Sequence, residues 1–292
     1  MISYNSKEWL GVFRLTKGDT FRRLLPLMLG ISAYTAGIAW LENDYLRLDE
    51  NSPLKNVTTM HSLIGFALSM LLVFRTNTAY DRWWEGRRLW GALVNNSRNL
   101  ALKIRPIIYS LEDERKFFAS AIPTFAVSLM NHLRSEASTF ELDEKPHPEI
   151  PDFDTAKHVP SQAAGLMIDR MYSLHRQGVV VHEELLMINP ELTSFMDICG
   201  ACERIRNTPI PYSYSAFIKK FIFIYVITLP FGFAFSLGYL SIPIVALIFY
   251  ILGSLELIAE EIEEPFGQDP NDLPMPRLCR TIEKTVGEIL AD

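Results

Sequence analysis

Residues 63–74 read LIGFALSMLLVF, twelve positions without a charge, and residues 75–90 continue as RTNTAYDRWWEGRRLW. No proline interrupts the chain between Pro53 and Pro106. The whole of 57–105 therefore reads as one helix, because a mid-helix proline would remove a backbone hydrogen bond and clash with the preceding turn. Its first half suits lipid or a bundle interior. Its second half is basic, amphipathic and aromatic and suits water. A transmembrane helix running on into an aqueous domain fits both halves, and so does a buried core helix with a solvated tail. The choice between them rests on the rest of the chain.

Two other runs exclude charge. Residues 24–41 hold none over eighteen positions, close to the lower limit for crossing a hydrocarbon core of ~30 Å. Residues 221–255 hold none over 35 positions. As a single helix that run would reach ~52 Å, too long for one crossing. Gly238-Tyr239-Leu240-Ser241-Ile242-Pro243 supplies a turn in its middle. The reading is four transmembrane helices at 24–41, 57–105, 217–238 and 242–259. An amphipathic basic segment, 1–23, precedes them. A helical aqueous region, 106–214, separates the second from the third. An acidic turn and a terminal helix, 260–292, close the chain. Within the aqueous region the expected caps are Ser161 for a helix over 161–177 and Asn189 for a helix over 190–206.

Composition agrees. The chain has 292 residues, 49% hydrophobic, with net charge -6, and a mean hydropathy of +0.11. The acidic balance excludes a general nucleic-acid binder. Three cysteines do not make a disulfide framework. Lysine and arginine cluster before the first span and after the second, whereas the loop 42–59 carries only Arg47 and Lys55. By the positive-inside rule both termini and the middle region face the cytoplasm.

Several side-chain groups carry chemistry or mimic it. Cys199 and Cys202 have the spacing of a thioredoxin-type site, but they fall mid-helix with no strand nearby, which favours packing over redox work. The histidines show no metal-binding spacing and read as surface or capping groups, and His61 opens the second span. Glu260, Glu263 and Glu264 share a helical face, and Asp269 and Asp272 follow. They read first as a solvated helix end or as partners of the arginines in 75–105. A cation site at Glu264, Asp269 and Asp272 is the alternative. Phe66, Met70 and Phe74, four residues apart, share one face of the second span. That face is either core packing or a hydrophobic pore constriction.

Three motifs then resemble the bestrophin family, bacterial branch: Phe74-Arg75-Thr76-Asn77-Thr78-Ala79-Tyr80-Asp81-Arg82-Trp83-Trp84-Glu85, Gly200-Ala201-Cys202-Glu203-Arg204-Ile205 with Thr208-Pro209-Ile210-Pro211, and Glu263-Glu264-Pro265-Phe266-Gly267-Gln268-Asp269-Pro270-Asn271-Asp272. The resemblance implies an all-α integral membrane protein, assembled as a homopentamer around a central ion pathway in the bacterial inner membrane. It implies a neck at Phe66, Met70 and Phe74, with methionine a departure from the family's usual Ile/Phe, and a second, aliphatic constriction within 179–188. It implies an ion channel for small monovalent ions, chloride or other anions by resemblance with cation selectivity open, and not an enzyme. The partners are a second copy of the chain, the lipid bilayer and the permeant ions. Animal members bind calcium at the acidic run. Here Pro270 and Asn271 interrupt it, so the expectation is little or no calcium response and no cofactor other than calcium. A secondary transporter and a membrane-anchored scaffold or redox protein are the rival readings.

Overall fold

The computed structural model describes residues 20–46, 57–134, 153–154 and 156–291. The amphipathic reading of 1–23 lies outside the described residues up to position 19, as do most of the loop 42–59 and His147 within 135–152. Every regular element among the described residues is helical. The α-helices are α1 (Thr20–Trp40), α2 (Val57–Ile104), α3 (Glu112–Arg134), α4 (Val159–Arg176), α5 (His182–Asn207), α6 (Tyr212–Leu237), α7 (Ser241–Glu263) and α8 (Met275–Ala291). Four helical stretches are long and apolar enough to cross a membrane: Thr20–Tyr45, Thr59–Ile104, Tyr212–Ala234 and Gly238–Glu263.

α2 has 48 residues, about 72 Å at 1.5 Å per residue, more than twice a hydrocarbon core. The hydroxyls of Ser69, Thr76 and Thr78 donate back to the carbonyls of Gly65, Leu72 and Phe74 at 2.8–2.9 Å. Ser69 in the apolar half, and Thr76 and Thr78 just beyond it, are thus satisfied within the helix itself, which suits passage through lipid. One seam runs down its length with spacings of three or four. It passes His61, Gly65, Leu68, Leu72, Arg75, Ala79, Arg82, Gly86, Trp90, Leu93, Ser97, Leu100 and Ile104, every one buried or half-buried. That period keeps one face of a straight helix against its neighbours.

The seam joins two apolar cores. Towards the N-terminal end of α2, Leu68 and Leu72 pack with Leu24, Ile218, Ile222, Leu229, Val245 and Phe249 from α1, α6 and α7. Towards its C-terminal end, Trp90, Leu93, Leu100 and Ile104 join a larger core with Phe118, Phe125, Met167, Phe195 and Ile282 from α3, α4, α5 and α8. α8 is anchored by Met275, Cys279, Ile282, Val286 and Leu290, an amphipathic stripe at helical spacing laid on α3. Between α6 and α7 the chain turns through a 3-10 turn, Gly238–Leu240. Gly238 adopts φ +56 there, a left-handed conformation that glycine enters without a Cβ penalty.

Two expected helix starts shift. α4 begins at Val159, and its cap is His158, whose Nδ1 accepts the Ser161 N–H at 3.2 Å. α5 begins at His182 and runs through Pro190. Glu184 accepts the Val181 N–H at 3.0 Å and closes that end. Pro190 is tolerated because it and Leu186, whose carbonyl loses its helical partner, both lie on the exposed face where water solvates the carbonyl.

Candidate functional site

The side of α2 opposite the seam is bare in the protomer. Phe66 is 73% exposed, Met70 52% and Phe74 53%, and Leu63 and Val73 flank them. Three large apolar side chains, one turn apart, therefore project away from α6 and α7. Beyond Phe74 the same side turns polar, with Asn77, Asp81 and Arg88 all exposed. His61, by contrast, sits in the seam. Its Nδ1 pairs with the Val57 carbonyl at 2.8 Å and its Nε2 with Thr228 Oγ1 at 3.0 Å. It is tied into the bundle rather than presented to a pathway. Gly65 lies beside it where Tyr225 crosses so closely that a Cβ would stand 2.6 Å from the phenol oxygen.

At the level where the two cores meet, the three motifs come together as a charged collar. Arg75 is 1% exposed. Its Nη2 donates to Glu263 Oε2 at 2.6 Å, and its Nε stands 3.7 Å from Glu256 Oε2. The other oxygen of Glu263 accepts the Ile210 N–H at 2.9 Å. Two turns further, Arg82 donates from Nε to the Glu263 carbonyl at 3.0 Å, from Nη1 to the Thr208 carbonyl at 2.5 Å and from Nη2 to the Ile205 carbonyl at 2.7 Å. These are carbonyls at the C-terminal ends of α7 and α5. A guanidinium fork satisfies them and complements both helix dipoles. Trp83 Nε1 donates to the Asn271 carbonyl at 3.0 Å, and Arg204 pairs with Glu85 at 3.0 Å. Gly86 lets the chain pass Pro265 and Phe266, each 3.1 Å from where a Cβ would be.

Three of the acids after 255 are thus close partners of basic groups. Glu263 binds Arg75, Glu260 binds Lys219 at 2.9 Å, and Glu261 binds Arg23 at 2.6 Å. The first of these is the pairing with the arginines of 75–105 that the sequence offered. Sequence reasoning missed Glu256 and Glu42. Each is the first acid after an apolar run, which is what a solvated helix end looks like. Yet Glu256 is 4% exposed and Glu42 3%, and neither has a protein hydrogen-bond partner on either oxygen.

Of the candidate cation ligands, Glu264 and Asp269 are exposed and Asp272 is buried. Asp272 Oδ2 accepts the Asp269 N–H at 2.5 Å and closes the turn on Gly267. Burial, with the negative neighbours Asp269, Glu264 and Glu261 adding to it, pushes its carboxyl up to about 6. Among the described residues, the metal-ligating side chains that converge as a group of three are His132, His158 and Glu203, not these acids.

Cys199 and Cys202 are both fully buried and free. Burial pushes the Cys199 thiol up to about 12 and Cys202 higher still. A thiol held in its neutral form is a poor nucleophile, so the pair packs α5 and the geometry gives nothing to a redox role. In the window 179–188, where an exit constriction was expected, the exposed large apolar side chains are Val181, Leu186 and Met187.

The model of the bacterial/fungal bestrophin family matches residues 1–288. A voltage-dependent anion channel-forming protein of a Nostoc species is 37% identical over 230 residues, covering 77% of this chain and 75% of that one. A second of the same description, from Mesorhizobium japonicum, is 32% identical over 292 residues and covers 100% of this chain and 93% of its own. A crystal structure of a bacterial bestrophin homolog from Klebsiella pneumoniae superposes with a TM-score of 0.79 at 27% identity, over 94% of this chain and 99% of that one. The motifs that meet at the collar lie within the matched residues, and the chain belongs to the bacterial/fungal bestrophin family.

Proposed function

We propose that five copies of this chain form a channel for small monovalent ions in the bacterial inner membrane, with both termini in the cytoplasm and with α2 of each copy lining the axis. Anions are the permeant class, on the descriptions of the relatives from Nostoc and Mesorhizobium as anion channel-forming proteins. The observation that carries the reading is the apolar stripe Phe66, Met70 and Phe74, exposed on the side of α2 opposite its packed seam. Five such stripes around an axis make three stacked apolar rings, a neck about 12 Å long at 1.5 Å per residue. Water leaves a narrow apolar tube, and ions do not pass without water. The neck is then the gate, and the collar below it fixes the angle at which α2 enters the aqueous domain. The lysine and arginine bias of the sequence supports the orientation. Calcium is not a cofactor in this reading, because Asp272 is buried and already spends an oxygen on the Asp269 N–H.

The test is single-channel recording on purified protein in planar bilayers. Phe66→Ala, Met70→Ala and Phe74→Ala should each raise conductance or open probability, with the oligomer intact by size-exclusion chromatography. Unaltered currents from well-assembled variants would remove this face of α2 from the pathway. Reversal potentials in a KCl gradient decide the sign of the permeant ion, and potentials on the cation side would overturn the anion assignment.

A further inference from the structure

Outside the collar, three side chains from separate stretches of the aqueous domain converge on one point. His132 lies in the last turn of α3, His158 caps α4, and Glu203 lies near the end of α5. The His132 Nε2 stands 2.7 Å from Glu203 Oε1, and the His158 Nε2 stands 2.8 Å from the same oxygen. The two rings are 4.6 Å apart and nearly perpendicular, at 86°. Between a quarter and a third of each side chain is exposed, so a small ion reaches the three donors from water.

We propose that His132, His158 and Glu203 form a binding site for a divalent transition-metal ion of the zinc class. Two imidazole nitrogens and one carboxylate oxygen suit zinc and its neighbours, whereas calcium and magnesium require mostly oxygen donors. Three protein ligands leave a fourth position for water, the usual arrangement at an open tetrahedral site. With bonds of about 2.0–2.1 Å, tetrahedral donors stand about 3.3 Å apart, so the observed spacings need to widen by about half an ångström. Three side chains on flexible torsions accommodate that without backbone movement.

The surroundings prepare the ligands. The His158 Nδ1 lies 2.5 Å from Ser161 Oγ. When Nε2 holds an ion the ring proton moves to Nδ1 and that hydroxyl accepts it, as outer partners of metal-bound histidines do, in place of the cap bond that Nδ1 accepts from the Ser161 N–H in the ion-free protein. Arg206 donates to the His132 carbonyl at 2.6 Å, which holds the last turn of α3 against α5. A bound ion would tie α3, α4 and α5 together two residues before Ile205, whose carbonyl holds Arg82.

The experiment uses the full chain, without an affinity tag, stripped by a chelator and titrated with zinc chloride by calorimetry. One ion per chain at a dissociation constant on the order of micromolar is expected. Cobalt(II) should give the visible bands of a tetrahedral site, and copper(II) should show hyperfine splitting from two imidazole nitrogens. His132→Gln keeps a donor towards Glu203, and His158→Asn keeps a good helix cap, so both should fold. Each should weaken zinc binding at least about tenfold, while His182→Gln, at an exposed imidazole on α5, leaves it unchanged. Zinc binding undiminished in the two variants, no two-nitrogen signature in the unaltered protein, or equal affinity for magnesium would overturn the proposal.

Discussion

The two halves of α2 live under different rules. In the aqueous half, the apolar side chains of the seam are hidden: Trp90, Leu93, Leu100 and Ile104 are all fully buried against α3, α5 and α8. In the apolar half, large side chains face outwards: Leu63, Phe66 and Met70 on α2, Phe223 and Ile224 on α6, Leu247 and Ile251 on α7. On a soluble surface such a patch would be a defect. In lipid it costs nothing, because the medium is as apolar as the side chain, and helices are held instead by close packing and polar contacts. Gly65 under Tyr225 and Gly253 against Leu24 are such close approaches. The difference teaches where stability resides. The aqueous bundle is held by hydrophobic burial, the membrane bundle by fit, and the collar between them by charge.

The comparison breaks most sharply under truncation. Phe195→Ala removes a fully buried ring that stacks edge-on against Phe125 at 4.8 Å, and should cost about 3–5 kcal/mol. Arg75→Ala strands Glu256 and Glu263 without their guanidinium and should cost as much, about 3–5 kcal/mol. Thermal unfolding of the protein in detergent, followed by tryptophan fluorescence, reads both. A melting point within a degree of the parent for Arg75→Ala would show that charge does not hold the collar.

Asp272 should give a smaller effect with a defined sign. Its folded carboxyl titrates about 6, while an unfolded aspartate titrates near 3.9. A raised acid pKa means the fold prefers the proton. The stability is complete below the unfolded value, is lost as pH rises through about 6, and stays lost above it. Two units correspond to about 2–3 kcal/mol at most. Melting should therefore rise as pH is lowered from 7.5 to 5. Asp272→Asn should flatten that rise relative to the parent and melt higher at pH 7.5. A variant that melts lower at every pH would contradict the assignment.

Gly86→Ala sharpens the collar itself. The new methyl would stand 3.1 Å from both Pro265 and Phe266, so the turn must yield, at a cost of about 1–3 kcal/mol. The same change at Gly200, where nothing lies within 4 Å, should be neutral or slightly stabilising, because alanine is the better helix former. Equal melting points for the two would mean that α2 and the turn after α7 are not in contact.

Much of this was legible in the chain. Charge-free runs mark helices that cross lipid, because a charge there is costly, and the absence of proline marks α2 as one rod. What was not legible depended on tertiary contact. Pro190 reads as a helix start by its fixed φ, but the buried residues Leu185, Ile188 and Leu192 hold α5 together across it. Glu256 looked like a solvated end because the charge that buries with it, Arg75, is far away in sequence. His132 and His158 are separated from Glu203 by 71 and 45 positions, and no motif spacing announces a site that only the packing of three helices creates. The neck residues were found from periodicity, but periodicity says only that they share a face. Their exposure in the protomer comes from the packing of the opposite face.

That last point supplies the smallest expected effect. Leu68 and Phe66 lie two residues apart on one helix, in one medium, on opposite faces. Leu68 is fully buried against α6 and α7. Leu68→Ala should leave a cavity and cost about 2–5 kcal/mol. Phe66 makes no packed core, so Phe66→Ala removes a larger side chain yet should shift stability by less than about 1 kcal/mol, and Met70→Ala the same. The larger deletion having the smaller cost is the signature of a side chain that faces an axis or lipid rather than a neighbour. If Phe66→Ala instead dissociates the oligomer while leaving the protomer folded, Phe66 packs between subunits, and the ring of Phe66 moves from the pathway to the interface. Melting curves and size-exclusion profiles on the two variants, measured side by side in one detergent, distinguish the two outcomes.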